Sequence, residues 1–190
     1  MRSRIEDLVA MIDEIDQGLD ITMTTNGVPL KDKAETLRCA APKRSNISLD
    51  TFSIDRFMQI ARRDAFDRVM AGIAAADEAG LRPVKLNVVV MKSFNDDEVV
   101  EFARLARRKP YSVRFIEFMP LDGDDIWSND LVVPGRRIQE QIEDLFPLVA
   151  VQDDRPRTLG ATASPTASPA RSVSSHPSPR RSAAPVTASA

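Results

Sequence analysis

The apolar residues of the chain recur with two different periods, and these periods alternate along its first 150 residues. Apolar residues at helical spacing predict amphipathic helices, whereas short runs rich in valine and isoleucine predict strands. The predicted helices cover residues 4–17, 31–41, 52–79 with a break near Arg63, a segment that begins with Asn95 as its N-cap, and a last segment that begins near Pro134 and includes Leu145; the predicted strands cover 19–24, 44–49, 84–91 and 112–119.

Regular alternation of helix and strand predicts right-handed βαβ units and a parallel sheet. Parallel strands are usually apolar on both faces, but here each predicted strand is polar at every second position. The polar faces either line the lumen of a barrel or face water on the open side of a two-layer sheet, and we favour the lumen. The residues assigned to these faces are Thr22, Thr24 and Asn26; Asn46, Ser48 and Asp50; Lys85 and Asn87; and Glu117, with the apolar Met119 in the same phase.

Composition divides the 190 residues into two parts. The last 36 residues contain five Arg, no acidic residue and no aromatic residue, and are dominated by Ala, Ser, Pro and Thr. We therefore expect a folded domain over 1–152 and a disordered tail over 153–190. Because the acidic residues all lie within residues 1–154, this part of the chain offers no basic surface for nucleic acid. No apolar run is long enough to cross a membrane, and no signal peptide is visible, so we expect a cytoplasmic protein.

Cysteine usage excludes several kinds of site. The chain has one cysteine, Cys39, which rules out an internal disulfide and any iron–sulfur cluster held by this chain alone. Cys39 lies on the predicted helix 31–41, flanked by Leu37 and Ala40, and we expect it to be buried as a small apolar side chain.

Four short motifs occur at the strands in a fixed order. They are residues 24–27 (TTNG), 46–50 (NISLD), 85–87 (KLN) and 114–120 (RFIEFMP). In this order and spacing they resemble the GTP 3',8-cyclases of molybdenum cofactor biosynthesis, which are radical S-adenosylmethionine enzymes. The resemblance covers roughly residues 3–150, and the linking segments 66–69, 79–81 and 95–98 fit it as well.

This resemblance implies both a fold and a chemistry. The fold is α/β, an incomplete TIM-type radical SAM barrel with about four parallel strands. The family converts GTP to (8S)-3',8-cyclo-7,8-dihydroguanosine 5'-triphosphate, using S-adenosylmethionine and two 4Fe–4S clusters. Its motifs place GTP contacts at Thr24 and Lys85 and S-adenosylmethionine contacts at Ser48 and Met119. The lumen-lining residues would then include Asn26, Asn87 and Glu117.

Simpler interpretations of the same residues stay open. Asn26 can belong to a tight turn, and Ser48 can cap a local turn. Lys85 can form a buried ion pair with Glu117 across neighbouring strands, and Met119 can fill the core.

The sequence also departs from the family pattern. It lacks the three-cysteine motif and the Gly-Gly-Glu-Pro segment expected upstream, and the second set of cysteines expected after residue 151. We expect a chain that begins after the second barrel strand, and a tail translated out of frame. No catalytic or metal-ligating residue is assigned, and the chain alone should be inactive. A complementing N-terminal fragment or a homodimer would be its partner. The alternatives are a decayed, non-catalytic nucleotide-binding remnant and an interaction protein that works through its basic tail.

Overall fold

The computed structural model describes residues 4–16, 19–40, 42, 44–120, 127–150, 160–163 and 173–176. Helices and strands alternate through most of them, as the two periods predict. Short 3-10 turns at Asp96–Glu98 and Asn129–Leu131 complete the regular structure. The elements are α1 (Ile5–Ile15), β1 (Thr22–Thr25), α2 (Leu30–Cys39), β2 (Arg44–Ser48), α3 (Ile54–Ala61), α4 (Phe66–Glu78), β3 (Val84–Val90), α5 (Val99–Arg108), β4 (Tyr111–Glu117), α6 (Gly135–Glu143), β5 (Leu148–Ala150), β6 (Gly160–Ala163) and β7 (Val173–His176).

One sheet carries all the described strands, in the order β1-β2-β3-β4-β7-β6-β5. The strands β1 to β4 are parallel neighbours in chain order, which confirms the prediction of about four parallel strands. Beyond them, β7 is parallel to β4, whereas β6 and β5 are antiparallel additions.

Two stretches of the segment predicted to be disordered belong to this sheet. They are β6 and β7, each four residues long. The edge of β4 opposite β3 presents backbone N–H and C=O groups, and β7 pairs with them through its backbone, which does not require apolar side chains. The other residues of 153–190 lie outside the described residues.

The apolar core lies between the helices and one face of the sheet. Along β3 the burial alternates strictly, with Val84, Leu86, Val88 and Val90 buried on the helix side. Phe102 of α5 is fully buried at the centre of this layer. Its ring stacks on Phe52 at 4.2 Å between centroids and meets Phe115 edge-on at 6.3 Å. The helices therefore cover a single face of β1–β4 and leave the other face for polar residues.

The predicted break near Arg63 is confirmed. Ser53 caps α3 through its hydroxyl, which accepts from the Arg56 N–H at 3.4 Å. The helix ends at Ala61, and Arg62, which follows it, has a φ of 52° in the left-handed region; α4 begins at Phe66. No helix among the described residues is long and apolar enough to cross a membrane.

Three local predictions are wrong or only partly right. A 3-10 turn over Asp96–Glu98 follows Asn95 and leads directly into α5, so the helical segment starts where predicted. The Asn95 side chain makes no capping hydrogen bond, however, because its amide donates to the Asp50 and Val89 carbonyls instead. Leu145 lies beyond α6 and is 55% exposed. Cys39 is exposed, because it lies at the C-terminal end of α2 and not on its buried side.

Candidate functional site

The strand register gathers polar side chains into rows on the open face of the sheet. In one row Thr24 lies beside Asn46, and Asn46 beside Lys85. In the next row Ser48 lies beside Asn87. Neighbouring strands are about 4.8 Å apart, so Thr24 and Lys85 are separated by about 10 Å at their Cα atoms. The open face of β1–β3 therefore carries Thr24, Ser48, Lys85 and Asn87 together, as the period-two pattern predicts.

The fourth strand has the opposite phase from the predicted one. Glu117 pairs in register with Val90, so it points to the helix side of the sheet. There its Oε1 accepts from the Gly135 N–H at 2.6 Å, at the start of α6. Glu117 therefore does not line the open face. The register argues against the alternative of an ion pair between Lys85 and Glu117. Lys85 is in register with Ser112, which lies about 16 Å from Glu117 along β4, and Glu117 points to the other face of the sheet.

Met119 lies two residues beyond the end of β4 and is half-buried. No ladder pairing extends to it, so the register assigns it to neither face.

The open face is cationic. Arg44, Lys85 and Arg114 share it, and among the described positions of β1–β4 on this face none is Asp or Glu. Arg44 is paired with Asp20 from the segment before β1. Burial lowers the pKa of Arg114, and the positive charge of Arg44 lowers it further. Two guanidinium groups that repel each other in a half-buried setting favour a bound anion.

Two amide oxygens on this face lack partners. The Oδ1 atoms of Asn46 and Asn87 are buried and accept no hydrogen bond from the described residues. The Asn46 Nδ2 donates to Thr24 Oγ1 at 3.3 Å. Buried acceptors without donors are uncommon in native proteins, and a ligand that donates hydrogen bonds would satisfy them.

A cavity of about 560 Å³ opens at the carboxyl ends of β1 and β2. Asn26, Ser48 and Asp50 supply its polar lining, Phe57 contributes an apolar wall, and Arg63 supplies a cation. Carboxyl ends of parallel strands are where α/β proteins bind ligands. The cavity brings Asn26 and Ser48 together, while Thr24, Lys85 and Met119 lie outside its lining.

Asn26 both forms a turn and lines the cavity. Its Oδ1 accepts from the Val28 N–H at 3.3 Å, and Gly27 has a φ of +79°, in the left-handed region. A Cβ on Gly27 would lie 3.0 Å from Ile47 Cγ2, so glycine also permits close packing here. The turn interpretation of this motif is therefore correct, and the turn holds Asn26 at the cavity.

Asp50 is the partly buried acid of the cavity, whose lining also includes the exposed Asp64. Its Oδ1 accepts from the Val89 N–H at 2.8 Å. Burial raises its pKa, and this hydrogen bond opposes that rise. Sequence reasoning placed Asp50 on the polar face but missed Arg44 and Arg114. The signal for both arginines was period-two spacing: Arg44 lies two residues before Asn46 on β2, and Arg114 lies two residues after Ser112 on β4.

Comparison with known proteins identifies the family. The model of the radical SAM superfamily matches residues 1–106. A GTP 3',8-cyclase of Moorella thermoacetica is 44% identical over 153 residues, which cover 80% of this chain and 47% of that protein. A GTP 3',8-cyclase of Geobacter sulfurreducens is 43% identical over 152 residues, which cover 80% of this chain and 46% of that protein. The chain thus spans about half the length of these curated relatives.

A solved structure shares the fold. The structure of TYW1 with a lysine–pyruvate adduct bound matches with a TM-score of 0.58 and 14% identity, covering 80% of this chain and 49% of that one. At this identity the likeness concerns the fold alone. The superfamily model extends over more than half of the residues, and the parallel sheet agrees with it: this chain belongs to the radical SAM superfamily.

Proposed function

We propose that this chain is the nucleotide-binding part of a GTP 3',8-cyclase of molybdenum cofactor biosynthesis. Its similarity to two cyclases that are more than 40% identical supports this. The observation that carries the proposal is the open face of the sheet, whose described β1–β4 positions combine three cations, hydroxyls and two buried amide oxygens with no Asp or Glu. Of these cations, Arg44 is paired with Asp20 from outside the strands. Such a face suits a polyanionic ligand that also offers hydrogen-bond donors, and a purine nucleoside triphosphate has both properties.

GTP binds across the polar rows in this proposal. The ammonium of Lys85 contacts the phosphates or the purine carbonyl, since a compact cation suits either. The Thr24 hydroxyl orients a polar edge of the nucleotide. Arg114 and Arg44 add positive charge on the same face, and a bound phosphate relieves their mutual repulsion.

S-adenosylmethionine occupies the neighbouring cavity. The Ser48 hydroxyl is exposed at the cavity and can hydrogen-bond to a polar group of the ligand. Asn26 and Asp50 extend this polar lining. Met119 packs on the adenine ring, which a polarisable thioether suits.

The cluster chemistry of the superfamily needs ligands that these residues do not provide. A 4Fe–4S cluster that leaves one iron open for S-adenosylmethionine needs three thiolates, and the 190 residues contain one cysteine. No group of three or more potential metal ligands occurs among the described residues. When bound, such a cluster supplies the electron that cleaves S-adenosylmethionine.

The thiolates must therefore come from polypeptide outside these 190 residues, in cis or from a complementing fragment. We expect the chain alone, incubated with iron and sulfide, to show no cluster absorbance and to form no 5'-deoxyadenosine. Since this chemistry requires reducing conditions, we place the protein in the cytoplasm.

Calorimetric titration of the 190-residue chain with each nucleotide tests the binding proposal. Lys85→Ala removes a charged hydrogen-bond donor and should weaken GTP binding by about tenfold or more. Ser48→Ala removes a neutral hydrogen bond and should weaken S-adenosylmethionine binding by about fivefold, with the GTP affinity unchanged.

Lys31→Ala is the matched control. Lys31 is exposed on α2, in the helix layer, so its replacement makes the same charge change away from the open face. It should leave both affinities unchanged. Equal weakening of GTP binding by Lys85→Ala and Lys31→Ala would contradict the proposal, and so would the absence of binding to the parent chain.

A further inference from the structure

The segment Asn95–Glu98 lies beside the cavity and reaches into the preceding βα unit. Asn95 is 2% exposed. Its Nδ2 donates to the carbonyl of Asp50 at 2.7 Å and to that of Val89 at 2.8 Å, and its Oδ1 accepts from the Met91 N–H at 2.7 Å. This single amide therefore joins the chain after β2 to the carboxyl end of β3.

Glu98 makes a second connection. Its Oε1 accepts from Thr51 Oγ1 at 2.6 Å and from Arg56 Nη1 at 2.7 Å, and its Oε2 accepts from the Phe52 N–H at 2.6 Å. Asp97 adds a bidentate pair with Arg56, at 2.7 and 3.0 Å. The carboxylate of Glu98 thus satisfies a buried hydroxyl, a backbone N–H and a cation at the start of α3.

The groups held in this way form one wall of the cavity. We call residues 49–53 the β2–α3 loop. It follows Ser48 directly, and it contains Asp50 and Thr51, which line the cavity. Among the described residues, two other hydrogen bonds join this loop to the sheet. The Leu49 N–H donates to the Asn87 carbonyl at 3.0 Å, and the Val89 N–H donates to Asp50 Oδ1 at 2.8 Å. The contacts of Asn95 and Glu98 therefore make up much of what fixes this wall.

We propose that Asn95 and Glu98 are positioning residues for the cavity: they hold the β2–α3 loop so that Ser48, Asp50 and Thr51 face the ligand. Neither residue contacts the ligand itself. The effect on S-adenosylmethionine binding rests on the proposed function, whereas the positioning of the loop is independent of it. The segment after β3 thus shapes the binding wall that follows β2.

Isosteric variants separate positioning from overall packing. Asn95→Asp keeps the shape and the acceptor for Met91, but it turns an oxygen towards the carbonyls of Asp50 and Val89 in place of two donated hydrogen bonds. Glu98→Gln keeps the shape and one acceptor, and Glu98→Ala keeps neither. Ile142→Val is the control, because it removes one methylene from the core under α6 and costs about 1 kcal/mol without touching the loop.

Amide hydrogen exchange by NMR measures the loop without any ligand. In Asn95→Asp and Glu98→Ala we expect Phe52, Ser53 and Val89 to exchange at least about tenfold faster than in the parent, beyond any change in amides of the core strands. Glu98→Gln should lie between Glu98→Ala and the parent. Ile142→Val should shift core and loop amides together. Exchange in the β2–α3 loop that merely follows global stability in all four variants would overturn the proposal.

Calorimetry with S-adenosylmethionine measures the consequence. Asn95→Asp should weaken binding by about tenfold, and Ile142→Val should leave it unchanged. Unchanged affinity in Asn95→Asp, in a parent chain that binds and depends on Ser48, would overturn the proposal while leaving the proposed function intact. If the parent does not bind, the proposed function fails, and the exchange rates alone decide whether Asn95 and Glu98 position the loop.

Discussion

Gly72 of α4 is packed against the turn that precedes the cavity. A Cβ at this position would lie 2.1 Å from the carbonyl oxygen of Gly27, 3.1 Å from its carbonyl carbon and 3.2 Å from Leu30 Cβ. The nearest obstacle is backbone, so it cannot rotate away. Gly72→Ala therefore forces α4 and the Asn26–Val28 turn apart by about an ångström.

Two opposing effects set the size of the change. Alanine favours the helix over glycine by about 1 kcal/mol. Overpacking of a dense core costs about 1–3 kcal/mol, and a backbone contact this short belongs at the upper end. We expect Gly72→Ala to lower the free energy of unfolding by about 2 kcal/mol. With a urea m-value of about 2 kcal/mol/M, the unfolding midpoint should fall by about 1 M.

Urea unfolding followed by circular dichroism measures this change, and Ala74→Gly calibrates it. Ala74 is exposed on the same helix, so removing its Cβ should cost about 1 kcal/mol through helix propensity alone. Gly72→Ala adds a Cβ to α4 and should destabilise it nonetheless. A midpoint for Gly72→Ala at or above that of the parent would show that propensity dominates, and would refute the close approach of α4 to Gly27.

Three further predictions concern titration and capping. Burial, aided by Asp77, raises the pKa of Tyr111 to about 12, so the free energy of unfolding should fall as the pH rises from about 10 to 12. The absorbance of this single tyrosine should titrate near pH 12 in the native chain. A titration midpoint near pH 10 would contradict its burial. Burial raises the pKa of Asp50, so the ionised carboxylate opposes folding. Asp50→Asn should therefore raise the free energy of unfolding at pH 7, and this gain should disappear below a pH of about 4. An equal gain at pH 7 and below a pH of about 4 would exclude an effect of charge. Glu117→Ala deletes the acceptor for the Gly135 N–H and should lower the free energy of unfolding in urea by about 1 kcal/mol. Glu117→Gln keeps an amide oxygen at this position and should retain most of the stability. Equal losses in the two variants would mean that a carboxamide cannot replace the carboxylate as the acceptor for Gly135.

Much of the helix-facing side of the fold could be predicted from the sequence. Apolar periodicity predicted β1 to β4 and their parallel arrangement, because burying those faces is what forms the sheet. The break between α3 and α4 was also predictable. These features depend on which residues are apolar, and local sequence carries that information directly.

The polar side was predicted only in part, because a polar residue has several ways to be satisfied. Glu117 was assigned to the open face by its polarity, yet it caps α6 from the helix side. Asn95 has the residue type of an N-cap, yet its amide joins two strand ends instead. Gly135, the partner of Glu117, is 18 residues away, and Asp50, one partner of Asn95, is 45 residues away, so no local pattern identifies them. Because Glu117 was assigned to the open face, the alternation of side chains along β4 was predicted in the wrong phase. Arg114 was missed for the same reason.

The open face also bears on stability. Burial and the neighbouring positive charge of Arg44 lower the pKa of Arg114, so keeping this guanidinium charged on the unliganded face costs free energy. The core on the opposite face must supply that free energy. A ligand that binds only the folded chain returns part of it, and at one hundred times its Kd it adds about 2.7 kcal/mol to the free energy of unfolding. The residues that make this face suitable for an anionic nucleotide are therefore the residues that make the unliganded chain less stable, and binding and folding should depend on each other here.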